Sequence, residues 1–152
     1  MEMPRPSAEA ERLVQALSGT WEGPETMHPS PWSPEPAQRV GRYTNRTLDG
    51  FFLLVDYEQR DGEQVTFRGH GVYSWDAREE VYTMYWFDSM GGAGGISKGR
   101  MEGDVLTFET TSPMGQHRYQ YTFGDGSKTF EMSMSPDGEN WQQFMKANYA
   151  KQ

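Results

Sequence analysis

Gly95-Ile96-Ser97-Lys98-Gly99 has the G-x-S-x-G spacing that lifts a nucleophilic serine on a strand-to-helix turn of an α/β sheet. Here the stretch runs into an amphipathic hairpin turning at Gly103-Asp104, so Ser97 is not assigned as a nucleophile. Gly91-Gly92-Ala93-Gly94-Gly95 lacks the G-K-[ST] ending and following helix of a phosphate loop, leaving a loose connection or a flap over a cavity mouth. His28, His70 and His117 are too far apart for a zinc spacing, and there is no cysteine. No metal site and no cofactor are expected. His117 has two readings, as a ligand contact or base near neutral pH and as a core histidine bonded to Thr110. Tyr43, Tyr73, Tyr82, Tyr119 and Tyr121, with Asp56 and Gln143, could bring several polar groups together, for a polar ligand or for internal networks. Arg42, Arg46, Arg68 and His70 form an anion site if they point inward and a basic outer patch if they point outward.

The elements that would position these groups are strands. Only residues 7–18 read as a helix: Ser7 can cap it, Glu9 and Glu11 suit its positive end, and Ala10, Leu13, Val14 and Leu17 form one stripe before Gly19. Residues 1–6 are expected to be disordered and 7–152 to form one domain. Pro29, Pro31, Pro34 and Pro36 around Trp32 predict a stiff crossover or rim loop over 28–36. Beyond it, turn residues recur at Asp49-Gly50, Asp61-Gly62, Ala77-Arg78, Gly103-Asp104, Pro113-Met114, Asp125-Gly126 and 136–139.

Treating each turn as the centre of an antiparallel hairpin sets the registers, because opposed residues share a face. Leu106 then faces Met101 and Tyr121, Phe108 faces Tyr119, and Thr110 faces His117. Tyr121 faces Phe130, Tyr119 faces Met132, and Met134 faces both His117 and Trp141. Lys98, Arg100, Glu109, Arg118, Glu131 and Lys146 collect on the other side, as a solvated wall should. In the N-terminal half, Tyr43, Asn45, Phe52, Leu54, Asp56, Phe67, Gly69, Gly71, Tyr73, Tyr82, Met84 and Trp86 are taken as the inner face. The alternative face, with Leu53, Val55, Val72, Tyr85 and Phe87, would bury three arginines and His70. The fold expected is all-β: a single antiparallel up-and-down barrel of about ten strands with a short N-terminal helix.

Gly19-Thr20-Trp21 at the first strand resembles the G-x-W of calycin barrels, which include lipocalins, fatty-acid-binding proteins and nitrobindin-like haem barrels. Leu17-Ser18-Gly19-Thr20-Trp21, Pro29-Ser30-Pro31-Trp32, Leu48-Asp49-Gly50-Phe51-Phe52, Gly69-His70-Gly71 and Tyr85-Trp86-Phe87-Asp88-Ser89-Met90-Gly91 are similar to a bacterial domain family of unknown function. That resemblance implies a calycin-like fold and brings no catalytic residues. Nitrobindin-like barrels hold haem through a histidine near the last strand, and this chain has none after His117.

A net charge of −8 disfavours nucleic acid and anionic membrane as partners. Absence of cysteine and of an apolar leader in Met1–Pro6 predicts a soluble cytoplasmic protein, monomeric or homodimeric. The function expected is binding of a small, mostly apolar ligand in the lumen. Its contacts would be Tyr43, Asp56, Tyr73, Met84, Trp86, His117, Tyr119, Tyr121, Met132, Met134 and Trp141, with Trp21 closing one end. The rival readings are a lumen enzyme using His117 or Asp56 as acid or base, a haem barrel, and a structural module with a filled interior.

Overall fold

A computed structural model of the chain describes residues 1–30 and 34–152; Pro31, Trp32 and Ser33, the middle of the expected crossover, lie outside the described residues. The helix, α1, spans Ala8–Leu17. Ser7 caps it by accepting the Ala10 N–H at 3.2 Å, and Ser18, in extended conformation, ends it. Glu9 and Glu11 offset the amide dipoles of the first turn, while Ala10, Leu13 and Leu17 are buried. No helix is long and apolar enough to cross a membrane among the described residues.

Ten strands follow: β1 Gly19–Met27, β2 Ala37–Leu48, β3 Phe52–Asp61, β4 Gln64–Asp76, β5 Val81–Asp88, β6 Gly95–Glu102, β7 Val105–Ser112, β8 Gly115–Phe123, β9 Ser127–Ser135 and β10 Gln142–Lys151. Each pairs antiparallel with its neighbour in sequence, and β1 also pairs with β10, closing the barrel. Closure leaves no strand edge to template association. This is the calycin-like, all-β, up-and-down architecture.

The C-terminal registers are those the turns predict. Leu106 opposes Met101 and Tyr121, Thr110 opposes His117, and Tyr119 opposes Met132. Trp141 is the exception. It precedes β10, so Met134 pairs with Gln142 instead, and an irregularity between Gln143 and Met145 re-aims the strand so that Met145, Ala147 and Tyr149 point inward.

In the N-terminal half β2, β4 and β5 have the expected faces and β3 is inverted. Asp49, Gly50 and Phe51 make a three-residue connection in which Asp49 and Gly50 have φ of 53° and 81°. Leu48 therefore pairs with Phe52, and Tyr43 with Tyr57 rather than with Asp56. On the far side Asp61 pairs with Gln64, and a bulge after Gln59 shifts the ladder by another residue, bringing Tyr57 opposite Gly69. These two odd steps flank β3, so only its side chains change sides. Leu53, Val55 and Tyr57 are inside, while Phe52 is 40% exposed and Asp56 lies on the outer surface. No arginine had to be buried to achieve this.

Candidate functional site

One end of the barrel is shut by α1. The Leu17 carbonyl, left without a helical partner, accepts the Trp21 indole N–H at 3.0 Å and the Asn45 amide at 2.8 Å. Tyr82 donates its hydroxyl to the Glu9 carbonyl at 2.8 Å. Leu13 and Leu17 enter the core with Trp21, which is 4% exposed.

Above this plug sits a buried cation. Lys128 shares the inner face of β9 with Phe130 and Met132 and is 2% exposed. Its Nζ lies 4.3 Å from the centre of the Trp21 ring, 5.1 Å from Tyr43, 5.6 Å from Tyr121 and 5.9 Å from Tyr149. Lys128 Nζ and Asn45 Oδ1 have no hydrogen-bond partner among the described residues. Ring quadrupoles hold the ammonium in part. Burial without a counter-charge lowers its pKa to about 7.

A buried carboxyl group lies farther along the lumen. Glu25 is fully buried and accepts from Tyr57 at 2.7 Å, from Gln59 Nε2 at 3.0 Å and from the Tyr149 hydroxyl. Desolvation raises its pKa, and these three donors hold the rise in check. Gly41 of β2 faces it so closely that any Cβ there would strike the carboxylate. Tyr149 serves both groups, with its hydroxyl on Glu25 and its ring beside Lys128.

The remaining lumen is a cavity of about 330 Å³ reaching the strand ends remote from α1. Its walls are aromatic (Tyr43, Tyr57, Phe67, Tyr73, Trp86, Tyr119, Tyr121, Phe130) and thioether (Met27, Met84, Met132, Met145), with Gln59, Asp88, Ser97 and Thr110 as polar points. Gly69 and Gly71 give the Trp86 ring its place, since a Cβ on Gly69 would enter that ring. Asp88 accepts the Trp86 indole N–H at 3.0 Å. Tyr73 and Tyr121 share a hydroxyl contact of 3.0 Å.

Of the expected contacts, Tyr43, Tyr73, Met84, Trp86, Tyr119, Tyr121 and Met132 line this cavity. His117 and Met134 oppose each other at the rim end of β8 and β9 and are not in its wall. His117 Nε2 is 2.8 Å from the Ser112 hydroxyl, whereas Thr110 donates to the Ile96 carbonyl instead. Partial burial lowers the His117 pKa. Asp56 stands outside the barrel, 2.8 Å from His70 Nδ1, because β3 is inverted. Trp141 is also outside, stacked 3.8 Å from the Arg118 guanidinium. Neither the Asp56 carboxylate nor the His117 imidazole, the two groups the acid–base reading named, lines the cavity. The histidine ligand of a nitrobindin-like haem barrel is missing from the wall as well, since no histidine lines the cavity. Of Arg42, Arg46, Arg68 and His70, the first and the last two line a groove on the outer surface and Arg46 is exposed outside it; Asp56, Glu58 and Asp88 share the groove, so its charge is mixed rather than basic.

Glu25, Lys128, Tyr57 and Gln59 were missed. Alternation held the signal for two of them. Trp21, Gly23, Glu25 and Met27 share one face of β1, and Lys128 keeps step with Phe130, Met132 and Met134. Their charge argued for solvent, and barrel closure overrode it. Tyr57 and Gln59 required the true register of β3. No group of His, Cys, Asp and Glu able to hold a metal ion occurs among the described residues.

Comparison with known proteins agrees with this architecture. No curated protein matches the chain. The crystal structure of Rv2717c from M. tuberculosis superposes with a TM-score of 0.73 at 17% identity, covering 95% of this chain and 98% of the other. A mutant of the fluorescent protein UnaG superposes with a TM-score of 0.58 at 14% identity, covering 91% and 98%. At these identities the likeness is one of fold. The profile of a family described as "Protein of unknown function (DUF1579)" matches residues 5–151, and the chain belongs to that family.

Proposed function

We propose that this member of the DUF1579 family is a small-molecule-binding protein whose barrel lumen holds a mostly apolar ligand. One observation carries the reading: a cavity of about 330 Å³, walled by aromatic rings and methionines, persists in a barrel that is otherwise densely filled. Cavities of a few hundred Å³ with apolar walls and few polar groups are the usual form of a ligand site. Methionine suits such walls because its unbranched, polarisable chain adapts to irregular shapes. The α1 plug makes the far end the entrance. The likeness to the fluorescent protein UnaG supports a barrel of this design without naming a ligand. On the same reading the protein acts in the cytoplasm, with a small molecule rather than nucleic acid or membrane as partner. Its net charge of −8 and absence of cysteine support that placement.

Native mass spectrometry of freshly purified protein tests the reading, together with titration by the neutral apolar dye Nile red. The expected results are a small-molecule mass above that of the chain, or saturable one-to-one dye binding that Ser97→Trp, placed in the cavity wall, abolishes without unfolding the barrel. Apo mass alone combined with dye uptake that Ser97→Trp leaves unchanged would remove the lumen as a ligand site.

A further inference from the structure

The polar groups of the cavity wall define what kind of ligand it takes, an inference that rests on the binding reading above. Tyr43, Tyr73 and Tyr121 are 4%, 1% and 3% exposed and all three line the cavity. The Tyr73 and Tyr121 hydroxyl oxygens are 3.0 Å apart. Three phenols carry three O–H hydrogens, and the Tyr73–Tyr121 contact uses one of them. At least one hydrogen is left over whichever way these hydroxyls rotate. No carboxylate, carbonyl or amide oxygen is bonded to it among the described residues: Glu25 takes Tyr57, Tyr149 and Gln59, and the buried Asn45 Oδ1, two residues along β2 from Tyr43, has no partner. A buried donor without an acceptor is costly, so the site is built to be completed by an oxygen from outside the protein.

Charge narrows the class of that oxygen. Lys128 is not in the cavity wall; its Nζ lies behind the rings of Tyr43 and Tyr121, 5.1 and 5.6 Å from their centres. An anionic group in the cavity would therefore meet no cation, and it would approach buried Glu25. A cationic group would fare no better at depth, because the Glu25 oxygens already have their donors. Asp88, the carboxylate in the wall, sits at the end of β5 and accepts from the Trp86 indole and the Met90 N–H. Burial raises the pKa of Tyr43 and Tyr73 well above the usual phenol value and that of Tyr121 to about 12, so all three remain neutral donors. Tyr119, two residues before Tyr121 on the same face of β8, adds a phenol about 7 Å nearer the mouth.

We propose that the lumen selects an uncharged, largely apolar molecule with a carbonyl-type oxygen, which accepts the left-over hydroxyl hydrogen of the Tyr43–Tyr73–Tyr121 trio. Methylene or carboxylate analogues of the same shape are discriminated against, the first for leaving the donor unmet and the second for placing a charge among phenols and thioethers.

Equilibrium dialysis of the full chain at pH 7 with benzophenone, diphenylmethane and diphenylacetate tests this directly. Benzophenone is expected to bind about tenfold more tightly than diphenylmethane, the worth of one buried hydrogen bond, and diphenylacetate the most weakly. Replacing all three phenols by phenylalanine should abolish the benzophenone preference over diphenylmethane. An infrared measurement on the unaltered protein stands even if that variant does not fold: the carbonyl stretch of bound benzophenone should fall below its value in hexane. Equal affinities for the ketone and the hydrocarbon, or an unshifted stretch, would overturn the selectivity while leaving lumen binding intact. Tightest binding by diphenylacetate would overturn it in favour of an anion site that reaches Lys128. Failure of all three to bind would overturn the binding reading and this inference together.

Discussion

The Lys128 ammonium lies 4.3 Å from the centre of the Trp21 ring, so the residue that plugs the barrel also forms the floor of a buried cation site. Trp21 is bonded through its indole to the helix end and packed from above by Lys128, with Lys151 at 5.7 Å. Trp21→Ala removes all of this at once. The expected loss is about 3 to 5 kcal/mol, read from denaturant melts; a loss under about 1 kcal/mol would mean that the ring is not a plug.

Lys128 should leave a signature in the pH dependence of stability. Its folded pKa of about 7 lies below the usual 10.5, so between these values the unfolded chain binds the extra proton. Stability must therefore rise as pH increases from about 7 toward 10. Lys128→Met should flatten that rise and stabilise the barrel at pH 7 by on the order of a few kcal/mol. Melts of both proteins between pH 6.5 and about 9.5, below the ionisation of unfolded tyrosines, decide it; parallel curves would place the ammonium in water.

Gly41 and Glu25 should be coupled. Gly41→Ala forces a methyl against the carboxylate and is expected to cost about 1 to 3 kcal/mol. In a Glu25→Ala background the same change should cost far less, a non-additivity measurable as a double-mutant cycle. Additive costs would mean that the two residues do not touch.

The inverted face of β3 is tested by a matched pair. Val55 is 1% exposed, whereas its neighbour Leu54 points outward opposite Arg46. Val55→Asp should unfold or aggregate the protein, since it buries an unpaired charge. Leu54→Asp should change stability by less than about 1 kcal/mol. The reverse outcome would restore the two-residue turn at Asp49-Gly50.

Titration with hemin should show no saturable one-to-one shift of the Soret band. The cavity wall offers methionines and neutral phenols but no imidazole, and His117 is engaged with Ser112 at the rim. A sharp stoichiometric shift lost in His117→Ala would reverse this expectation.

Much of the barrel could be read from local chemistry. Ser7 and the Leu13–Leu17 stripe specify the helix, and two-residue turns such as Gly103-Asp104 and Pro113-Met114 dictate the pairing of β6 through β9. Period-two alternation then turns Tyr119, Tyr121 and Met132 inward with no further information. Where a turn held an extra residue or a strand a bulge, local chemistry was silent. The Asp49–Phe51 connection and the bulge after Gln59 each shift a ladder by one, and that decides whether Asp56 or Tyr57 faces the lumen. Glu25 and Lys128 show the other boundary. Alternation put both on the inner face but did not supply their partners: Tyr57 and Gln59 reach Glu25 only in the true register of β3, and closure of β1 on β10 adds Tyr149 to Glu25 and brings Trp21 and Tyr43 to Lys128. A side chain's face is a short-range property of its strand, whereas the partners that make a buried charge tolerable come from strands distant in sequence and meet only when the barrel shuts.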